Sequence, residues 1–412
     1  MAGILTSYTH RVMAVFSKLR HRLGVSLNTL TARRPWLARN IVRYGWVSLA
    51  VLALLLLAVG AVAGGERSQE IVYATEDGSI VSLEPESGVV TEIYTGDSGG
   101  YAVAPARTGG RSTSFTVLRG EGENLRGDLY SADLARNTRA LTSRAEPGEA
   151  LTDSSLSSDR AWLLAGRYAI GAPPNALVLP ASGATERLLE PDLPGSTSLL
   201  GAVWGAQNTI FAWRPGPNGL SLTAYNFFER RQAVVYETDK KVGTPYYYFD
   251  SNALVFDERP RGSDPLESRV RLVVGAAELP LTGAEELGLY DPAPIVPELD
   301  DALPVMWTDG KKTGVGLIDS KTWSFTKMNV TVEAGSRSPL VSRDGSYVAT
   351  TDAAGATLTV RRVKDGGVVR RVEDLQAPGE ALDRMREADF DLPEEAGWFA
   401  GENFSWRSLE DD

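Results

Sequence analysis

Short apolar runs return along this chain at nearly constant intervals, each bounded by Gly, Asp, Pro or Ser. Taken from Ile71, Phe115, Trp162, Phe211, Val255, Val305, Val348 and Trp398, the steps are 44, 47, 49, 44, 50, 43 and 50 residues. A superperiod in this range, built of short strands separated by turn residues, is the mark of a propeller blade. Two stacked β-sandwiches would show strands every 8–12 residues without the longer period.

The units share an internal order. Ser342-Arg343-Asp344-Gly345 precedes the strand Tyr347-Val-Ala-Thr350, then Ala356 to Arg361, an Asp365-Gly-Gly turn, and Val368 to Val372. Ile71 to Thr75, Ser79 to Leu83 and Val89 to Tyr94 fill the same slots, as do Trp307-Thr-Asp309-Gly310, Gly314 to Asp319 and Trp323 to Met328. On these residues the chain resembles the TolB-like and WD-repeat-like propeller family, whose blades carry Ser-Pro-Asp-Gly before an apolar strand. Here Arg343 stands at the Pro position. The resemblance implies an architecture over roughly residues 71–406 and leaves activity open, because propellers host many functions. The expected fold is all-β, a seven-bladed β-propeller with eight blades as the alternative. The first unit begins without an inner strand, so Gly397 to Trp406 is expected to supply one and close the ring. Before it, 373–395 is an acidic segment in which Pro378 to Ala388 reads as a short helix.

The pattern ahead of the repeats differs. Residues 44–65 carry no charge, and twenty-two residues of helix span about 33 Å, the thickness of a bilayer core. Eight bases and no acids precede this run, whereas thirty-four bases and fifty-three acids follow it, a net of −19. Basic flanks stay cytoplasmic, with Arg39 and Arg43 at the inner boundary and Tyr44 and Trp46 at headgroup depth. The expected organisation is a basic cytoplasmic tail (1–43), a single transmembrane helix (44–65) and an extracytoplasmic propeller (66–412). Ala61-Val62-Ala63 before Gly64 also fits a cleavage site, and Arg33-Arg34 fits a twin-arginine export signal. The length of the run and of its leader favours a retained anchor. Within the tail, Ile4, Tyr8, Val12, Val15, Leu19 and Leu23 form one helical face opposite Arg11, Lys18 and Arg22, an amphipathic helix suited to an anionic membrane surface.

Composition then removes whole classes of chemistry. The chain has no cysteine, and its two histidines are His10 and His21. Ser–His–Asp and Cys–His catalysis and His- or Cys-ligated metals are therefore excluded beyond residue 21. The acidic balance argues against nucleic acid. No catalytic, cofactor-binding or metal residue is assigned. The adjacent acids Asp257-Glu258, Glu285-Glu286 and Asp300-Asp301 read as solvated turn charges, and on a strand neighbours would point to opposite faces. Candidate interaction residues are Tyr246, Tyr247 and Tyr248, placed on an inner strand, and Arg259, Arg261 and Arg269 in the polar insertion 259–269. The insertions 120–127 and 284–301 are the other loops long enough to meet a partner.

Three functional classes follow from this pattern. The first is a non-catalytic, membrane-anchored propeller that contacts lipid through its anchor and binds a protein partner on the outer face of the membrane. The second is a carboxylate-dependent glycan-binding or glycan-processing envelope protein. A sensor with a cytoplasmic partner is a third, since the tail is too short for an output domain.

Overall fold

The computed structural model describes residues 69–408, except 97–99, 107–111, 134–135, 143–144, 158–160, 181–199, 227, 250, 263, 295, 297–298, 300, 378–379, 391 and 393–403. The chain divides into two compact units, Met1–Arg67 and Ser68–Asp412. The tail, the uncharged run and its flanks Arg39, Arg43, Tyr44 and Trp46 lie outside the described residues. Among the described residues no helix is long and apolar enough to cross a membrane.

The second unit is built of antiparallel sheets in chain order. Sheets 3 to 6 occupy 200–238, 241–279, 288–332 and 337–372, and sheet 1 holds 69–94 with the C-terminal strand Phe404–Ser408 added at its inner edge. Sheet 2 has seven strands because two repeats fuse through a short parallel pairing, Arg126 to Glu149 and Gly127 to Ala150. Gly127 permits this approach, since a Cβ there would sit 2.9 Å from the Ala150 methyl and from Leu118 Cδ2. Ala284 to Asp301, expected as one polar insertion, instead contains the strand Gly288–Tyr290, whose three residues are all buried as the inner edge of sheet 5.

Every landmark from Ile71 to Val348 falls in the second strand of a repeat, the strand most deeply covered. Gln69–Ala74, Leu303–Thr308 and Tyr347–Thr351 are buried at every position, whereas the fourth strands, such as Arg231–Thr238, are largely exposed. This is why the period is so plain in the sequence. The second strand must be apolar on both faces because each face meets a neighbouring sheet.

Apolar layers between consecutive sheets form the core. Val72, Ile80 and Phe115 join sheets 1 and 2; Leu164, Val178 and Ile210 join 2 and 3; Trp213 and Phe256, with ring centroids 5.1 Å apart, join 3 and 4. Leu272 and Val305 join 4 and 5, Met306 and Val348 join 5 and 6, and Leu340 and Tyr347 meet Ile71 and Tyr73 to join 6 back to 1. The sequence of contacts returns to its start, which makes the arrangement a ring. The turns between second and third strands share one end of the ring, here the upper face. Those between first and second and between third and fourth share the lower face.

Closure depends on one strand. Phe404–Ser408 pairs with Gln69–Tyr73, and the opposed residues Glu70 and Arg407 form an ion pair of 2.6 Å with side chains 8% and 2% exposed. Removing one partner of such a pair leaves the other charge buried, a loss of about 3–5 kcal/mol, whereas replacing both is close to neutral. Arg407→Ala is expected to lower the urea-unfolding free energy by that amount, and the double variant Glu70→Gln/Arg407→Met to recover most of it.

Candidate functional site

Asp257 and Glu258 sit together in the second strand of sheet 4, Ala253–Arg259, and strand geometry sends their side chains to opposite faces. The expectation that this pair consists of solvated turn charges is overturned, because the strand runs between two sheets and Glu258 is buried. Its carboxylate accepts from Lys240 Nζ at 2.7 Å, Arg271 Nε at 2.8 Å and Tyr236 Oη at 3.0 Å. Burial alone would raise the Glu258 carboxyl, but Lys240 and Arg271 hold it below the usual carboxylate range. This knot fastens sheet 3 to sheet 4.

Asp257 faces the other way. Its carboxylate lies over Gly243, where a Cβ would collide with it, and it accepts the backbone N–H of Asp291. Asp291 follows the inner strand of sheet 5 with φ at +46°, and its Oδ2 accepts from Arg337 Nε and from the Ser338 N–H, both at 3.3 Å. Arg337 opens the inner strand of sheet 6. Three consecutive sheets thus bring two carboxylates and one guanidinium together beside the central channel. Enclosure by protein, and then repulsion from Asp291, push the Asp257 carboxyl up to about 7, against the pull of Arg337. The Asp257 carboxyl thus lies beside a second carboxylate already countered by a cation. Among the described residues no group of three or more His, Cys, Asp or Glu side chains is placed to hold a metal ion.

The segment after sheet 6 docks on the upper face. After the last strand of sheet 6 the chain crosses to sheets 1 and 2, where Glu76 N–H donates to the Asp374 carbonyl at 3.0 Å and Gln376 Nε2 to the Ala102 carbonyl at 2.8 Å. The expected helix follows as α1, Glu380–Glu387. Arg384 stacks over the Tyr101 ring at 3.5 Å. Leu382, Met385, Ala388 and Phe390 enter one apolar cluster with Leu125 and Ala150 of sheet 2, Leu220 of sheet 3 and Val242 of sheet 4. The segment is therefore seated on the upper face, held directly by sheets 1 and 2 and continuous with the apolar cluster that runs on into sheets 3 and 4.

The sequence-derived candidates fall in several places. Tyr246–Tyr248 form part of the inner edge of sheet 4 and are occupied by packing. Tyr247 stacks on Phe211 of sheet 3 at 5.3 Å, and Tyr248 Oη donates to the Ala293 carbonyl of sheet 5 at 3.1 Å. Arg269 Nη1 donates to the carbonyls of Leu266 and Ser268 at 2.8 Å and of Leu287 at 3.3 Å, bracing the turn at the upper face. Arg259 ends the second strand of sheet 4, and Arg261 is exposed at the tip of the loop that follows it. The structure does not gather the three arginines into one pocket with the tyrosines. Asp291 and Arg337 were not among the sequence candidates. The available signal was a pair of charges within the otherwise buried strand Ala253–Arg259.

No protein-family model and no curated protein matches the chain. Among solved structures, a puromycin-hydrolysing peptidase from Mycobacterium tuberculosis superposes with a TM-score of 0.51 at 17% identity, over 74% of this chain and 51% of that one. An oligogalacturonate lyase from Vibrio parahaemolyticus gives a TM-score of 0.50 at 12% identity, over 74% and 85%. A TolB protein from Agrobacterium tumefaciens gives 0.42 at 14% identity, over 64% and 89%. At these identities the likeness concerns the fold alone, in keeping with the β-propeller described above.

A raised carboxyl pKa reduces stability as pH rises, because the native state holds a proton that the unfolded chain has already released. The contribution of Asp257 is therefore most favourable below the ordinary carboxylate pKa and is lost as pH climbs towards about 7. Thermal melts across this range should show Asp257→Asn gaining on the wild type as pH increases. A constant difference would place the carboxyl in an ordinary environment.

Proposed function

We propose that this chain is a non-catalytic binding propeller of seven blades, the seven-stranded sheet counting as two, held at the outer face of a membrane by residues 44–65. On this reading it presents its upper-face loops to a protein partner. The observation that carries the proposal is the segment docked on the upper face: α1 and Phe390 share one apolar cluster with residues of sheets 2, 3 and 4, beside the loops that would meet a partner. Composition supports it, since no imidazole or thiol exists beyond residue 21. So does the Asp257–Asp291–Arg337 cluster, whose cation is already engaged with a carboxylate and whose members tie three sheets together. The loops at 120–127 and 259–269 rise from the same face, each built around a short 3-10 turn, Gly122–Asn124 and Pro265–Glu267, that gives it a fixed shape.

One observation favours the glycan reading as second choice. A carboxyl that titrates near neutrality beside a second carboxylate has the character of a general acid.

The protein, extracted in mild detergent and purified by affinity, is expected to carry a stoichiometric partner identified by cross-linking and mass spectrometry. Arg261→Glu, at the loop tip, should reduce its recovery roughly tenfold, the effect of about 1.4 kcal/mol at an interface. Recovery of a lone monomer would overturn the binding reading, and glycan turnover abolished by Asp257→Asn would replace it with the second.

A further inference from the structure

Large apolar side chains exposed singly need no explanation, but here their positions are one-sided. Among the described residues six are more than 40% exposed: Val89, Val90, Phe228, Val234, Phe249 and Val368. Only Val234 lies midway along a strand. Val89 and Val90 follow the turn between third and fourth strands of sheet 1, Phe228 is in the same turn of sheet 3, and Val368 follows it in sheet 6. Phe249 is in the turn between first and second strands of sheet 4, its ring set edge-on to Tyr247 at 5.1 Å. All five are therefore on the lower face, spread around the ring. The turns of the upper face carry polar tips instead, such as Asp77-Gly78, Gly120 to Asn124 and Asp309 to Lys312.

Charge and chain path point the same way. Arg230 and Arg231 follow Phe228 beyond Glu229, which pairs with Arg231 at 3.7 Å; Lys364 precedes Val368, and Lys321 occupies the equivalent turn of sheet 5. Other acids of these turns also have partners: Glu86 pairs with Arg362 at 3.0 Å, and Asp319 and Asp365 accept turn N–H groups at 2.7–2.8 Å. The chain enters the ring at Gln69, at the lower end of its strand. In sequence, residues 66–68 separate that point from the uncharged run.

We propose that the lower face is a lipid-contact surface, its aromatic and valine turn tips entering the headgroup layer of an anionic bilayer with the adjacent Lys and Arg on the phosphates. Isolated apolar tips spread around a rim, with Arg230 near Phe228 and Lys364 near Val368, suit shallow insertion into lipid; a protein interface would gather them into one desolvated patch. The inference rests on the proposed anchor at 44–65, and it assigns the two ends of the ring to different partners: lipid below, protein above.

The absence of cysteine makes the test direct. Single substitutions Phe228→Cys, Phe249→Cys and Val368→Cys at the lower face, and Glu123→Cys and Lys311→Cys at the upper, are labelled with an environment-sensitive fluorophore in the full chain. The protein is reconstituted in vesicles of phosphatidylcholine and phosphatidylglycerol, with and without nitroxide-labelled lipid. Lower-face labels are expected to shift to the blue and to be quenched about twofold by the nitroxide, with upper-face labels unchanged. Flotation with the vesicles while all labels report water would overturn the lipid-contact surface and leave the anchor standing. Failure to float would overturn the anchor and this inference together. A blue shift without lipid quenching would mark a protein contact and also overturn it.

Discussion

Everything in this molecule depends on a backbone pairing made by the two ends of the fold. The inner edge of sheet 1 is vacant until Phe404–Ser408 fills it, and until then sheets 1 and 6 share no complete interface. Hydrogen bonds to a sheet edge are each of modest net value, so their number and the cover they receive decide the outcome. Here the strand is fixed by register, by the fully buried Phe404, by Trp406 donating to the Leu340 carbonyl at 2.9 Å, and by the Glu70–Arg407 pair. An ion pair at that depth adds little net energy, but it makes a slipped register costly because each charge would be buried alone.

With the ring closed, the interior divides into two kinds of polar site. Glu258 with Lys240, Arg271 and Tyr236 is a knot between neighbouring sheets, satisfied on all sides. Asp257 with Asp291 and Arg337 is an incompletely balanced cluster: two carboxylates share one guanidinium, so a proton takes the place of the missing cation. The difference arises from the alternation of a single strand, which turns neighbouring residues into opposite environments.

Much of the architecture was legible in the sequence because the covered second strands are the most apolar segments and recur once per repeat. The ring-closing role of the C-terminal segment was legible from the missing inner strand of the first repeat, and α1 from Pro378 and the helical spacing behind it. The inner strand Gly288–Tyr290 was not, since three apolar residues framed by Glu285, Glu286 and Asp291 look like part of a polar loop. The Asp257 cluster was not legible either. Its members belong to three repeats, and only the ring places them within reach of one another. The one-sided distribution of exposed apolar residues needed the fold to give each turn a face.

The closing strand also imposes an order on biogenesis. Glu70 waits for a partner 337 residues later, so a polypeptide made from its amino end carries an unpaired sheet edge through nearly all of its synthesis. Contacts so distant in sequence form late and slowly. A nonsense codon between Val372 and Phe404 deletes the latch from a ring whose six sheets are otherwise made, and the open edge it leaves is a template for joining a second unfinished copy.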